Sequence, residues 1–123
     1  MSHRAKVESN YKINMFGLTE VFNPTTQASI DIVFVHGIFG HPKGTWTCDD
    51  TDVFWPAELL PPVLEDDGTR VLTYGYEAGA DSFADGEQTH KVHEVARSLG
   101  RDLASNRQVC EIAFVSERIM KHE

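Results

Sequence analysis

The run Ile30-Asp31-Ile32-Val33-Phe34-Val35, followed at once by His36-Gly37, constrains the fold of this chain more than any other stretch. It is apolar apart from Asp31 and rich in β-branched residues, the pattern of a strand buried on both faces of a parallel sheet. It is therefore expected to be the most buried element. A glycine directly after such a strand lets the backbone turn sharply and lets its amides approach another group, and Gly40 and Gly44 extend that freedom. A loop of this kind can present N–H groups to a negatively charged oxygen.

The rest of the chain reads as support for that strand. Residues 1–14 mix charges without a period and form a loose lead-in. Residues 15–22 alternate loosely through Phe16, Leu18, Val21 and Phe22, and Asn23-Pro24 ends them, which predicts an edge strand. Beyond the glycine loop, Asp52 is placed to cap a helix from Val53 to about Leu60, with Trp55-Pro56 in its first turn and Pro61-Pro62 ending it. Arg70 to Tyr76 is β-rich and predicts a second parallel strand, reached by a right-handed crossover. Residues 77–88 are small and glycine-containing and read as a loop. Val92, Val95, Ala96, Leu99 and Leu103 form one apolar stripe and predict a helix over residues 89–107. Val109 to Val115 predicts a third parallel strand, leaving residues 116–123 as a tail and residues 15–115 as the domain.

Composition excludes some classes of function. The net charge of −8 and a pI near 5.1 disfavour nucleic acid and anionic membranes as partners. The acidic groups Asp49, Asp50, Asp52 and Glu65, Asp66, Asp67 lack the regular alternation of a calcium loop and read as solvated turns. Cys48 and Cys110 have no metal-type spacing and are expected to be free thiols in a reducing compartment. No apolar run approaches the roughly 18 residues of a membrane span, and the N-terminus lacks an apolar signal core. His90 and His93 lie three apart on the predicted helix without a third ligand of sensible spacing, so no metal is expected. Lys43 is followed by Gly44, and the G-K-[ST] ending of a phosphate loop is absent.

Three blocks carry a resemblance: V-H-G-I-F-G-H-P-K-G-T-W from Val35, F-W-P-A-E-L-L-P from Phe54, and R-V-L-T-Y-G-Y-E-A from Arg70. Their order and spacing resemble the lipase-like α/β-hydrolase domain of the serine active site containing protein and GPI inositol-deacylase-like group, also found at the N-terminus of fungal NACHT-type receptors. The resemblance covers about Phe16 to Ala104. It implies a partial α/β-hydrolase sheet of about five strands, the central ones parallel and flanked by helices, with early strands pairing antiparallel at the sheet edge. It also implies His36, Gly37, Ile38 and Phe39 as an oxyanion-hole loop, the last three as amide donors and His36 as the strand-end residue that shapes the turn. The family reaction would be hydrolysis of a lipid or other acyl ester by an acyl-enzyme route without a cofactor. A cytoplasmic location is expected, with mitochondrion or endoplasmic reticulum membrane association, as in relatives, as the alternative.

The nucleophile of that reaction rides a G-x-S-x-G turn, which the sequence lacks. Ser116 falls near the expected strand end, but Phe114 and Arg118 occupy the two positions that need small residues. Ser98, in A-R-S-L-G, imitates the turn but sits inside the predicted helix. His122 lies too close to Ser116 for the nucleophile, acid, histidine order. The sequence therefore predicts the N-terminal part of such a hydrolase, cut before its nucleophile and inert alone, with self-association through an exposed sheet edge. The competing readings are a non-catalytic binding or scaffold module and, more weakly, a minimal esterase using Ser98 or Ser116.

Overall fold

The computed structural model describes residues 12–24, 28–64, 68–78, 88–106 and 111–116. Four strands form one mixed sheet: β1 (Gly17–Phe22), β2 (Ile30–Val35), β3 (Thr69–Gly75) and β4 (Glu111–Ser116), in spatial order β1-β3-β2-β4. β2 pairs parallel with both β3 and β4, and β1 pairs antiparallel with β3. The described residues thus hold four strands rather than about five. β1 is antiparallel at the edge, as expected, yet it borders β3 instead of β2. The chain inserts β3 between them.

Alternation along the strands builds two cores. Val33, Leu72 and Tyr74 face α3 (Gln88–Ser105), packing with Val95, Leu99 and Leu103. Phe34 and Val71 face the other way, onto Trp46, Phe54 and the short helices α1 (Trp55–Glu58) and α2 (Leu60–Leu64). The sheet is therefore sandwiched between helical layers, the arrangement that a parallel sheet with two apolar faces requires. The most buried strand is β3, buried at every position, whereas β2 has three buried and three half-buried residues. The reason is positional: β3 lies between β1 and β2 under both helical layers, while β2 borders β4, whose Phe114 is 57% exposed.

The helix expected over residues 53–60 is split in two. Phe54 rather than Asp52 is the residue at its start, and the Phe54 amide donates to Glu58 Oε2 at 3.0 Å, so the helix side chain reaches back to its own entry. Asp52 instead turns the preceding hairpin with φ 61°. Pro61 and Pro62 begin α2 instead of ending a helix, since the first turn lacks N–H partners anyway.

At the end of the sheet where β2 and β3 begin, Arg70 is buried to 1% exposure against Asp31, also 1% exposed. Its Nε and Nη2 donate to the two Asp31 carboxylate oxygens at 2.8 and 2.7 Å, and Nη1 reaches Glu20 at 3.1 Å. Nη2 also donates to the Asn106 carbonyl at 3.1 Å. One guanidinium therefore ties together β1, β2, β3 and the residue following α3.

Candidate functional site

The opposite end of the sheet carries the turn that the sequence singles out. β2, β3 and β4 run parallel and end together, with Val35 in register with Tyr74 and with Ser116. The chain leaves β2 toward β3 on one side and returns through α3 to β4 on the other. In open α/β sheets such a reversal opens a crevice beyond the strand ends, where ligands bind. The His36-Gly37 turn leaves β2 at that place.

Residues 37–40 form a β-turn closed by the Gly40 amide donating to the Gly37 carbonyl at 2.9 Å. Phe39, in its third position, has φ 70°, the value of a type II turn that normally takes glycine. A Cβ on Gly40 would lie 2.9 Å from the Gly37 carbonyl oxygen, His36 Cβ and Thr45 Oγ1 alike, so this position admits only glycine. Beyond the turn, His41 Nδ1 accepts the amides of Lys43 and Gly44, each at 3.0 Å, which shapes the entry to the 3-10 turn Gly44–Trp46.

His36 is 2% exposed and lies flat against Tyr76, with ring centroids 4.3 Å apart and planes 6° from parallel. Its Nδ1 is 2.9 Å from the Gly37 carbonyl, and its Nε2 is 3.4 Å from the Tyr76 amide. These contacts together assign the neutral tautomer with the proton on Nδ1, donating to Gly37 and accepting from Tyr76. The Tyr76 hydroxyl donates to the His36 carbonyl at 2.7 Å.

The expected amide donors have different surroundings. The Phe39 amide donates to the Ala78 carbonyl at 2.7 Å and so is already used. Among the described residues nothing accepts from the Ile38 amide. Beside the turn lies an apolar groove of about 250 Å³, lined by Val35, Ile38, Tyr76, Val92, Val95 and Leu99 among others. Val92 is 55% exposed there, which explains why the first residue of the apolar stripe of α3 does not reach the core.

The two serines occupy different places. Ser116 is the exposed last residue of β4, beside Val35 and hence near the turn. Ser98 lies inside α3, receives a hydrogen bond from Arg101 at 3.2 Å, and lines a second cleft of about 420 Å³ with Tyr74, Glu94 and Asp102. Burial pushes the Tyr74 phenol upward, with Asp102 acting in the same direction and the Ser98 hydrogen bond opposing. Cys48 is a free, exposed thiol, lowered from its ordinary value chiefly by hydrogen bonding with the Thr51 side chain. His93 is exposed on α3, whereas Cys110, Arg118 and His122 lie outside the described residues.

No protein-family model, curated protein or solved structure matches the chain. Among the described residues no helix is long and apolar enough to cross a membrane. Sequence reasoning named His36 as the residue that shapes the turn and missed Tyr76, which holds it. The available signal was its place directly after a buried strand, one residue past Gly75.

Proposed function

We propose that the chain carries the oxyanion-receiving half of a lipase-like α/β-hydrolase and is not itself a competent serine esterase. The observation that carries this reading is the H-G turn at the C-terminal end of the central parallel strand, with the Ile38 amide unclaimed beside an apolar groove. An oxygen anion bearing an apolar tail matches both: N–H groups for the charge and the groove for the tail. The antiparallel edge strand and parallel centre agree with the architecture that the resemblance implies.

A hydrolytic step would further require a serine with an adjacent base. Ser116 is near the turn, but Phe114, two residues before it, is large where a nucleophile turn needs a small residue. Ser98 is part of a helix and bonded to Arg101. The second reading, a binding module derived from such a domain, is favoured by the groove itself, which can hold a ligand without any nucleophile.

Two measurements test the proposal. Titration with octanoate, a stable carboxylate on a short tail, is expected to shift the Ile38 amide and the Val92 and Ala96 resonances together. Unmoved resonances at saturating octanoate would remove the anion-receiving reading. Fluorophosphonate, which reacts only with an activated serine, is expected not to label the chain. Stoichiometric labelling abolished by Ser98→Ala or Ser116→Ala would establish an active esterase and identify its nucleophile.

A further inference from the structure

Two consecutive peptide planes in the H-G turn are gripped by their carbonyl ends. The His36 carbonyl accepts the Tyr76 hydroxyl at 2.7 Å. The Gly37 carbonyl accepts both His36 Nδ1 and the Gly40 amide, each at 2.9 Å. A peptide group is planar and trans, so fixing its C=O fixes the opposed N–H. The partner of the His36 carbonyl across its plane is the Gly37 N–H, and that of the Gly37 carbonyl is the Ile38 N–H. The His36 ring that grips the second plane is itself stacked on Tyr76 and accepts the Tyr76 amide. Both planes thus trace back to one residue on the neighbouring strand exit.

We infer that Tyr76 is a positioning residue for the H-G turn: its hydroxyl orients the Gly37 N–H directly, and its ring and amide orient the Ile38 N–H through His36. The inference rests on the anion-receiving reading for the purpose of these N–H groups, but not for the lock. The surrounding geometry agrees with a held turn. Phe39 keeps φ 70° while 73% exposed, a conformation that a phenylalanine without side-chain burial retains only when its neighbours determine it. The Phe39 amide is tied to the Ala78 carbonyl, two residues beyond Tyr76, so the same exit segment anchors the far side of the turn. Tyr76 also lines both the apolar groove and the larger cleft next to α3, which places it between the two concave surfaces at this end of the sheet.

The test uses the whole chain and Tyr76→Phe, which keeps the stacked ring and removes only the hydroxyl. Amide hydrogen exchange at Phe39 and Gly40, the amides that close the turn onto the Ala78 and Gly37 carbonyls, is expected to rise roughly five- to tenfold, the equivalent of one lost neutral hydrogen bond. Exchange in β3 should stay unchanged, a contrast that a general loss of stability would not produce. Octanoate affinity is expected to fall by a similar factor. Replacing Tyr76 by 3-fluorotyrosine, nearly isosteric and a stronger donor, should slow the same exchange, so the inference remains open to refutation even if the phenylalanine variant folds poorly. Unchanged Phe39 and Gly40 exchange in either variant overturns it. Accelerated exchange in a chain that binds no octanoate before or after substitution upholds the lock and removes the anion-receiving reading instead.

Discussion

Replacing Asp31 by alanine tests the physical basis of the fold most directly. Arg70 makes two hydrogen bonds to Asp31, one to Glu20 and one to the Asn106 carbonyl, and both members of the central pair are 1% exposed. Hydrogen bonding to Asp31 is the main cause that holds the guanidinium above its ordinary pKa, and burial acts against it. Removing the carboxylate leaves a buried cation with only a partner whose side chain is 41% exposed and neutral oxygens. Breaking a buried pair in this way costs about 3–5 kcal/mol, and the remaining Glu20 contact places the expected loss near the lower end. Domains of ordinary stability hold about 5–15 kcal/mol, so the loss is a large share. At about 1–3 kcal/mol per molar urea it moves the denaturation midpoint down by about 1–3 M, followed by circular dichroism. The double variant Asp31→Leu with Arg70→Met should melt at or above the parent, since it removes the desolvation cost together with the attraction. A midpoint for Asp31→Ala equal to that of the parent, or a double variant weaker than the single one, would refute this account.

Two further outcomes follow from the cores. Phe34→Ala should cost about 3–5 kcal/mol, because Phe34 meets Trp46 and Trp55 edge-on at 5.0 and 5.1 Å; these are the only tryptophans, so their emission reports the loss. Tyr74 has a folded-state pKa raised above its unfolded value, mainly by burial, so the folded state retains the phenolic proton after the unfolded chain has lost it. Its contribution is complete below about pH 10 and is lost as pH rises beyond that. Tyr74→Phe should therefore flatten the stability profile above about pH 10 in urea titrations, and a slope identical to the parent there would exclude the assignment.

Strand positions were legible because buried parallel strands concentrate β-branched residues: β2 matches Ile30 to Val35, and β3 and the last strand are displaced by one or two residues at their ends. Pairing was not legible. Nothing local in residues 17–22 distinguishes β2 from β3 as a neighbour, and the outcome depends on which edge the crossover leaves open. Asp31 looked like a polar interruption of an apolar strand, and Arg70 like the first residue of another. Each is the second residue of its strand, and parallel pairing puts them in register, a signal visible only once the two strands are known to be adjacent. Prolines at 61 and 62 were read as a stop, although the same chemistry suits a start. The H-G turn was found by its glycines, but its surroundings were not, because Tyr76 approaches it from 40 residues along the chain.

The two ends of the sheet divide the work physically. At the beginning of β2 and β3, a buried guanidinium is saturated by oxygens from several elements, leaving no polar capacity for a ligand. At the other end, the carbonyls of the H-G turn are saturated while at least the Ile38 N–H is not, and the adjoining surface is apolar. Saturating acceptors while leaving a donor open gives a local excess of positive dipole without any cationic side chain. That is suited to an oxygen anion in an acidic protein, where the overall charge of −8 would otherwise repel it. Such selectivity must be short-ranged, because the backbone dipole acts only at contact whereas the net charge acts over a Debye length. If the turn receives an anion as proposed, anions with a long apolar tail are expected to bind in preference to small inorganic ones, since burial of the tail in the groove would compensate for the repulsion met on approach.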